Sequence, residues 1–300
     1  MKPLGKRIAM AVVCAATLTS PWLLSGCSMS ELWQGTEQSR KEIAQRSEQD
    51  QVQLFNQYVK AVSRFNRMAV MFDYANTPTL NGLKAGQHLT VFNTPNFKQL
   101  QKELEEAKQA GVPYDEMKAP LDKLLSKLNE ITPVAEELDA YYKSKGYTTD
   151  NYAKEQQLGP KYVQLYEQFI PIYADFDNIM HKINTDRLQQ RLQQLRDAGK
   201  KNAAAAQEIS LRLTAVLEKL DSEKQPDVNA INQELQAIGD LANSISSPTY
   251  DSVKTSVNST IGAIRTYMGS KQDNDYKHMV EAYNRYISNM NTTNMNELDQ

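Results

Sequence analysis

Residues 121–142 read LDKLLSKLNEITPVAEELDAYY and hold the pattern that decides the fold. Apolar residues recur there at steps of three and four, which places them along one face of an α-helix. The phase is kept across Pro133, whereas a fresh helix after a break would usually start in a new phase. A proline inside a helix removes one backbone hydrogen bond and bends the axis. The stretch therefore predicts one long, kinked helix.

The same helical period extends in both directions from this stretch. It includes a second stripe that runs through a proline, Pro171, and it is interrupted by a turn-rich segment from Asn76 to Asn96. No stretch alternates with period two, so no sheet is expected. We predict an all-α fold, an elongated bundle of long antiparallel, partly kinked helices. The helical segments are 52–72, 97–110, 121–142 and 162–195, followed by four shorter ones at 209–220, 228–245, 250–264 and 279–290.

The chain divides into four parts on these patterns. We predict a removed signal peptide (1–26), a lipidated N-terminus with a polar tether (27–47), an all-helical domain (48–290) and a disordered tail (291–300). No clear boundary divides the helical domain, although a bend around Lys200 would be the place for one.

Composition excludes several classes of protein. The chain of 300 residues has 34 Lys and Arg, 36 Asp and Glu, 40% hydrophobic residues and two cysteines. It is too apolar for a disordered chain. Two cysteines cannot make a disulfide-dense scaffold or a four-cysteine zinc site. A net charge of −2 gives no reason to expect a nucleic-acid partner.

The amino terminus has the form of a bacterial lipoprotein signal peptide. Three basic residues precede an uncharged stretch from Ile8 to Ser30, within which Leu24-Ser25-Gly26-Cys27 resembles a lipobox. We predict cleavage between Gly26 and Cys27, with the Cys27 thiol carrying the lipid that attaches the protein to a bilayer. An uncleaved transmembrane helix is the alternative that length permits, but Pro21 would break it. The residue after Cys27 is Ser28 and not an aspartate, and this resembles the signal that sorts lipoproteins to the outer membrane of Gram-negative bacteria. We therefore expect the protein to be anchored in the outer membrane and to face the periplasm.

Three motifs resemble the YiiG-like family of bacterial lipoproteins. An early helix has Phe55-Asn56-Gln57-Tyr58-Val59, a tyrosine-rich turn spans 141–154, and Val280-Glu281-Ala282-Tyr283-Asn284-Arg285-Tyr286-Ile287 lies near the C-terminus. The resemblance covers about residues 48–290. It implies an all-helical periplasmic domain of unknown function and supplies no activity or functional residue beyond Cys27.

The candidate metal ligands are Asp275, His278 and Glu281, spaced three apart on one predicted helix. Neighbouring members share a face, but the outer two lie about 240° apart around the axis. One helix would thus supply at most two ligands, and other helices must complete the site. The His-x-x-Glu element also resembles that of imelysin-like periplasmic proteins, although Tyr276 stands where glycine is expected. An ordinary solvated helix face is the competing interpretation.

The other two histidines give weaker signals. His181 has Asp177 one turn earlier, which favours a satisfied histidine beside the core, and His88 lies in the turn-rich segment without a neighbouring carboxylate or cysteine. Gly-x-Ser-x-Gly and phosphate-loop patterns are absent. We therefore predict no enzyme, no catalytic residue and no cofactor.

Two further groups of residues have both a structural and a binding interpretation. The fifteen tyrosines mostly fall on predicted buried stripes, which favours core packing over a carbohydrate platform. A basic run is interrupted by Asp186 and Asp197, which favours a solvated helix face over a contact with lipid headgroups or an acidic envelope polymer. The run consists of Arg187, Arg191, Arg196, Lys200 and Lys201.

The leading hypothesis is a membrane-anchored helical protein that binds an unidentified envelope partner. A periplasmic metal- or small-ligand-binding bundle is the alternative.

Overall fold

The computed structural model describes residues 37–223 and 225–300, with side chains described for 50–66, 78–223, 225–295 and 297–300. The predicted signal peptide, Cys27 and the first part of the tether lie outside these residues. Every regular element in the described part is a helix, which confirms the all-α prediction. The helices are α1 (Glu37–Lys84), α2 (Phe97–Ala110), α3 (Asp115–Lys143), α4 (Tyr147–Asp150), α5 (Ala153–Asp197), α6 (Lys201–Ser222), α7 (Val228–Ser244), α8 (Asp251–Ser270) and α9 (Asp273–Thr292), with short 3-10 helices at Pro248–Tyr250 and Met295–Glu297.

The long helices run through their prolines. Both α3, with Pro133, and α5, with Pro171, are continuous, as the unbroken apolar phase predicts. Burial of the stripes on both sides of each proline offsets the lost backbone hydrogen bond, because apolar burial contributes about 1.5–3 kcal/mol for each large side chain.

The predicted start of the turn-rich segment at Asn76 is wrong. Helix α1 continues through Pro78 to Lys84, so only 85–96 joins it to α2. Leu83, in the last turn of α1, is 9% exposed and packs against the position where Gly159 lacks a side chain. Tertiary packing therefore extends the helix past a proline and a glycine that local propensity treats as breakers.

Buried hydrophobic side chains form two separate clusters. The first core contains buried residues from Phe55 to Ile183, and the second core contains buried residues from Leu192 to Leu298. Helix α5 runs without interruption from one core into the other. We call α1–α4 with the first core the first unit, and α6–α9 with the second core the second unit. The change of core thus falls within α5, before the predicted bend at Lys200.

The C-terminal residues are ordered against α6, so the predicted disordered tail is wrong. Met295 and Leu298 are 4% and 1% exposed and belong to the second core. The Asp299 carboxylate accepts the backbone N–H groups of Asn202 at 2.7 Å and Ala203 at 3.0 Å. The tail lacks helical periodicity, but it supplies the cap that Lys200, at the N-cap position of α6, does not provide.

Replacing Asp299 with alanine is expected to lower the free energy of unfolding of the second unit by about 1–2 kcal/mol, because it removes a carboxylate cap from a helix amino terminus. Urea denaturation measures the loss, and faster amide exchange in the first turn of α6 locates it. Glu297→Ala is the matched control, since the side chain of the exposed Glu297 bonds only to Asn294 among the described contacts. Equal stabilities of the two variants would contradict the capping role.

Candidate functional site

A buried glutamate organises the end of the first unit where α1 and α3 finish and α5 begins. Glu155 is 4% exposed, and its Oε1 lies 2.8 Å from Nδ1 of His88. Its Oε2 accepts the backbone N–H of Leu89 at 2.9 Å and the hydroxyl proton of Tyr142. Three donors from two other segments therefore surround one buried carboxylate, as a buried charge requires. Burial and the bond to Glu155 raise the pKa of Tyr142, which keeps its hydroxyl a donor.

Three rings stack beside this carboxylate at the protein surface. The His88 and Tyr152 rings lie 4.0 Å apart at 17°, and the Tyr152 and Tyr147 rings lie 5.3 Å apart at 13°. The His88 side chain is 50% exposed, and both tyrosines are half-buried. We call these three residues the aromatic ladder. Glu155 fixes the His88 ring through Nδ1, and no described hydrogen bond involves Nε2 of this ring.

The backbone around the aromatic ladder is strained. Lys145, Asn151 and Tyr152 have φ values of 55°, 51° and 65°, in the left-handed region that non-glycine residues rarely adopt. Such residues cost about 1–3 kcal/mol each and persist only where the surroundings hold them. At Gly146 a Cβ atom would lie 2.6 Å from the Tyr141 ring, so the turn needs glycine there. The Asp150 carboxylate accepts the Tyr141 hydroxyl at 2.7 Å and fixes the same turn.

This cluster corrects the interpretation of His88. The sequence shows no carboxylate beside it, but the fold brings in Glu155 from 67 positions along the chain. Glu155 itself was not predicted as a site residue. A signal for it exists, because Glu155 lies four residues before Gly159 and seven before Tyr162 and so continues the buried stripe of α5. A glutamate on an apolar stripe indicates a buried, partnered charge.

Within the described part of the chain, no further ligand joins the predicted metal ligands. Asp275 accepts the Ser270 hydroxyl, while His278 and Glu281 are exposed, with Glu281 4.0 Å from Lys277. Among the described residues, no group of three or more His, Cys, Asp or Glu side chains is arranged to hold a metal ion.

His181 lies between the two units. Its Nε2 contacts the Glu218 carboxylate of α6. The predicted partner, Asp177, lies close enough for electrostatic interaction with the His181 ring. Within the basic run, the Arg187 guanidinium lies 5.2 Å from the Phe55 ring centroid and Arg196 pairs with Glu208 at 2.7 Å. The contacts of His181, Arg187 and Arg196 each join two different helices, so these side chains have a structural role.

Asp177 is the carboxylate with a pKa near neutrality. Burial raises the pKa of Asp177 to about 7, and the nearby Asn66 amide and His181 oppose part of the shift. The folded state therefore binds this proton more tightly than the unfolded state, whose pKa is near 3.8. Stability from this group is full below pH 4 and is lost as the pH rises through about 7.

Asp177→Asn is expected to be more stable than the wild type above pH 7, by about 1–2 kcal/mol, and to match it near pH 4. The difference is smaller than the full pKa shift would give, because the carboxylate keeps partial access to solvent. Urea denaturation between pH 4 and pH 9 measures it. The exposed Asp175 on the same helix provides a matched Asp→Asn control. Parallel stability curves for Asp177→Asn and the wild type would contradict the assignment.

The motifs that carry the family resemblance lie mostly in the two cores. Tyr58 is fully buried and donates to the Gly111 carbonyl at 2.8 Å. Tyr283 and Tyr286 are buried, and their hydroxyls meet Thr214 at 2.9 Å and Ser210. These tyrosines pack the interior, as predicted, whereas Tyr147 and Tyr152 of the tyrosine-rich turn reach the surface.

Comparison with known proteins identifies a family. A family model described as a protein of unknown function (DUF3829) matches residues 49–292, a range that runs from within α1 to the end of α9. No curated protein and no solved structure matches the chain. In the described part of the chain, no helix combines the length and apolar character needed to cross a membrane.

Proposed function

We propose that this chain, which belongs to the DUF3829 family of proteins of unknown function, is a lipid-anchored, non-enzymatic binding protein of the bacterial cell envelope. Within that assignment we place it with the YiiG-like lipoproteins, on the strength of the lipobox and the three tyrosine-containing motifs. Cys27 supports the membrane attachment, and the surface around Glu155 and the aromatic ladder supports the binding role.

The attachment point is Cys27. Its thiol follows Leu24, Ser25 and Gly26 in the order that lipoprotein processing requires. Two or more acyl chains give effectively stable membrane attachment, whereas one chain binds only marginally. Ser28 supports sorting to the outer membrane, with the helical domain in the periplasm.

The observation that carries the binding role is the rigid surface above Glu155. A buried carboxylate with three donors fixes His88, and His88 stacks on Tyr152 at 4.0 Å. Side chains held in this way lose little conformational freedom when a partner binds, which favours affinity. Strained backbone at Asn151 and Tyr152 belongs to the same surface, and such strain clusters at functional sites.

The anchor is tested by Cys27→Ala in the full chain, expressed in a Gram-negative host. This variant should incorporate no radiolabelled palmitate and should accumulate as the unprocessed precursor. Cys14→Ala is a matched control, because it removes the other cysteine while leaving the lipobox intact. Palmitate labelling of Cys27→Ala at the wild-type level would overturn the anchor.

A further inference from the structure

The aromatic ladder and the proposed anchor lie on opposite sides of α1 in the order of the chain. Helix α1 has 48 described residues, which correspond to about 70 Å at 1.5 Å per residue. The Cys27 end precedes this helix, and the segment that carries His88 follows it. The ladder therefore lies at the carboxyl end of α1, about the length of this helix from its amino terminus.

The chemistry of this surface suits a carbohydrate. A pyranose ring has an apolar face of C–H groups and a rim of hydroxyl groups, so it pairs with an aromatic ring beside polar groups. The half-exposed His88 ring ends the ladder, and among the described ring contacts it stacks on Tyr152 alone. Exposed polar residues, Thr148, Thr149 and Asn151, lie in the turn between Tyr147 and Tyr152.

The surface does not resemble an obligate protein–protein interface. Val91 and Val228 are the large hydrophobic side chains exposed among those described, at 64% and 42%. Val91 lies three residues after His88, whereas Val228 belongs to the second unit. Obligate protein interfaces have a contiguous apolar centre, and one exposed valine three residues from His88 does not provide it.

The charge of Lys145 indicates which kind of carbohydrate the surface favours. Lys145 is exposed, lies two residues before Tyr147 and has no ion pair among the described contacts, whereas Lys143 and Lys154 pair with Asp139 and Glu137. An exposed cation in the turn that leads into Tyr147 favours a polymer that carries carboxylates. Peptidoglycan has pyranose strands that carry peptide stems with carboxylates. It lies between the inner and outer membranes of a Gram-negative cell.

We propose that the aromatic ladder, with Lys145 beside it, binds the glycan strands of peptidoglycan. The choice of this polymer rests on the envelope location proposed above, whereas the preference for a pyranose ligand rests on the site alone.

Co-sedimentation of the purified, detergent-solubilised full chain with isolated peptidoglycan sacculi tests the proposal. Wild-type protein should pellet with sacculi, and a soluble hexamer of β-1,4-linked N-acetylglucosamine should reduce the pelleted fraction at least threefold. His88→Ala should bind at least fivefold more weakly. His278→Ala is the matched control, since it removes an exposed histidine from α9, and should bind as the wild type does.

Lys145→Glu provides a second variant that leaves the described hydrogen bonds of Glu155 in place. It should also bind at least fivefold more weakly, and it decides the question if His88→Ala disturbs the fold. Wild-type protein that stays in the supernatant, full binding by Lys145→Glu, or binding that the hexamer does not reduce would each overturn the proposal. Because the assay uses purified protein, a failure here is distinct from a failure of the Cys27 anchor, which palmitate labelling tests.

Discussion

Replacing Glu155 with leucine should lower the free energy of unfolding of the first unit by about 3–5 kcal/mol. The leucine removes the common acceptor of His88, Leu89 and Tyr142 while filling a similar volume. Each buried donor left without a partner costs about 1–3 kcal/mol, and breaking a buried charged network costs about 3–5 kcal/mol. Urea denaturation followed by circular dichroism measures the loss.

Glu155→Gln separates the hydrogen bonds from the charge. The glutamine oxygen can take the place of Oε2 and keep the bonds from Leu89 and Tyr142. The glutamine NH2 can then donate to Nδ1 of His88, provided that this ring carries its proton on Nε2. We expect a loss of only about 1 kcal/mol. A leucine variant as stable as the glutamine variant would contradict the role given to these donors.

Glu137 offers a surface control for the same pair of substitutions. Its side chain is 52% exposed and pairs with Lys154 at 2.8 Å. Exposed ion pairs contribute about 0–1 kcal/mol, so Glu137→Gln should change stability by less than about 0.5 kcal/mol. A comparable loss at Glu137 would mean that burial does not distinguish the two carboxylates.

The sequence was sufficient for the helices because their signal is repeated many times. The stripe of α3 has seven apolar positions in phase between Leu121 and Tyr142, so one proline cannot hide it. Where the prediction was wrong, long-range packing decided the structure. Leu83 extends α1 through its contact with the region of Gly159, and Asp299 orders the tail by capping α6. Neither contact can be predicted from the local sequence pattern, because its two partners are far apart along the chain.

The candidate site was harder to predict because its members come from three separate segments. His88 lies between α1 and α2, Tyr142 lies in the last turn of α3, and Glu155 lies in the first turn of α5. Periodicity places a residue on a face of its own helix, but it does not say which face of another helix lies opposite. The glutamate on the stripe of α5 shows that a partner is needed, and only the fold shows that His88 is one of its partners.

The division into two cores predicts that a destabilising substitution in one unit leaves the free energy of unfolding of the other unit unchanged. Phe169 is 0% exposed in the first core, and Leu213 is 0% exposed in the second. Phe169→Ala should destabilise the first unit by about 3–5 kcal/mol, and Leu213→Ala should destabilise the second by about 2–5 kcal/mol. In each variant the other unit should keep its stability, because the lost contacts all lie within one core.

Hydrogen exchange resolved by segment distinguishes this outcome from cooperative unfolding of the whole chain. A loss of 3 kcal/mol corresponds to exchange about a hundredfold faster in the affected helices. For Phe169→Ala this should appear in α2 and α3 and leave α7 and α8 unchanged, with the reverse for Leu213→Ala. Leu188 is buried on α5 between the last residue of the first core and the first residue of the second, so Leu188→Ala is the substitution expected to affect both units. Equal acceleration in all helices by Phe169→Ala would show that continuous α5 couples the two cores into one cooperative unit.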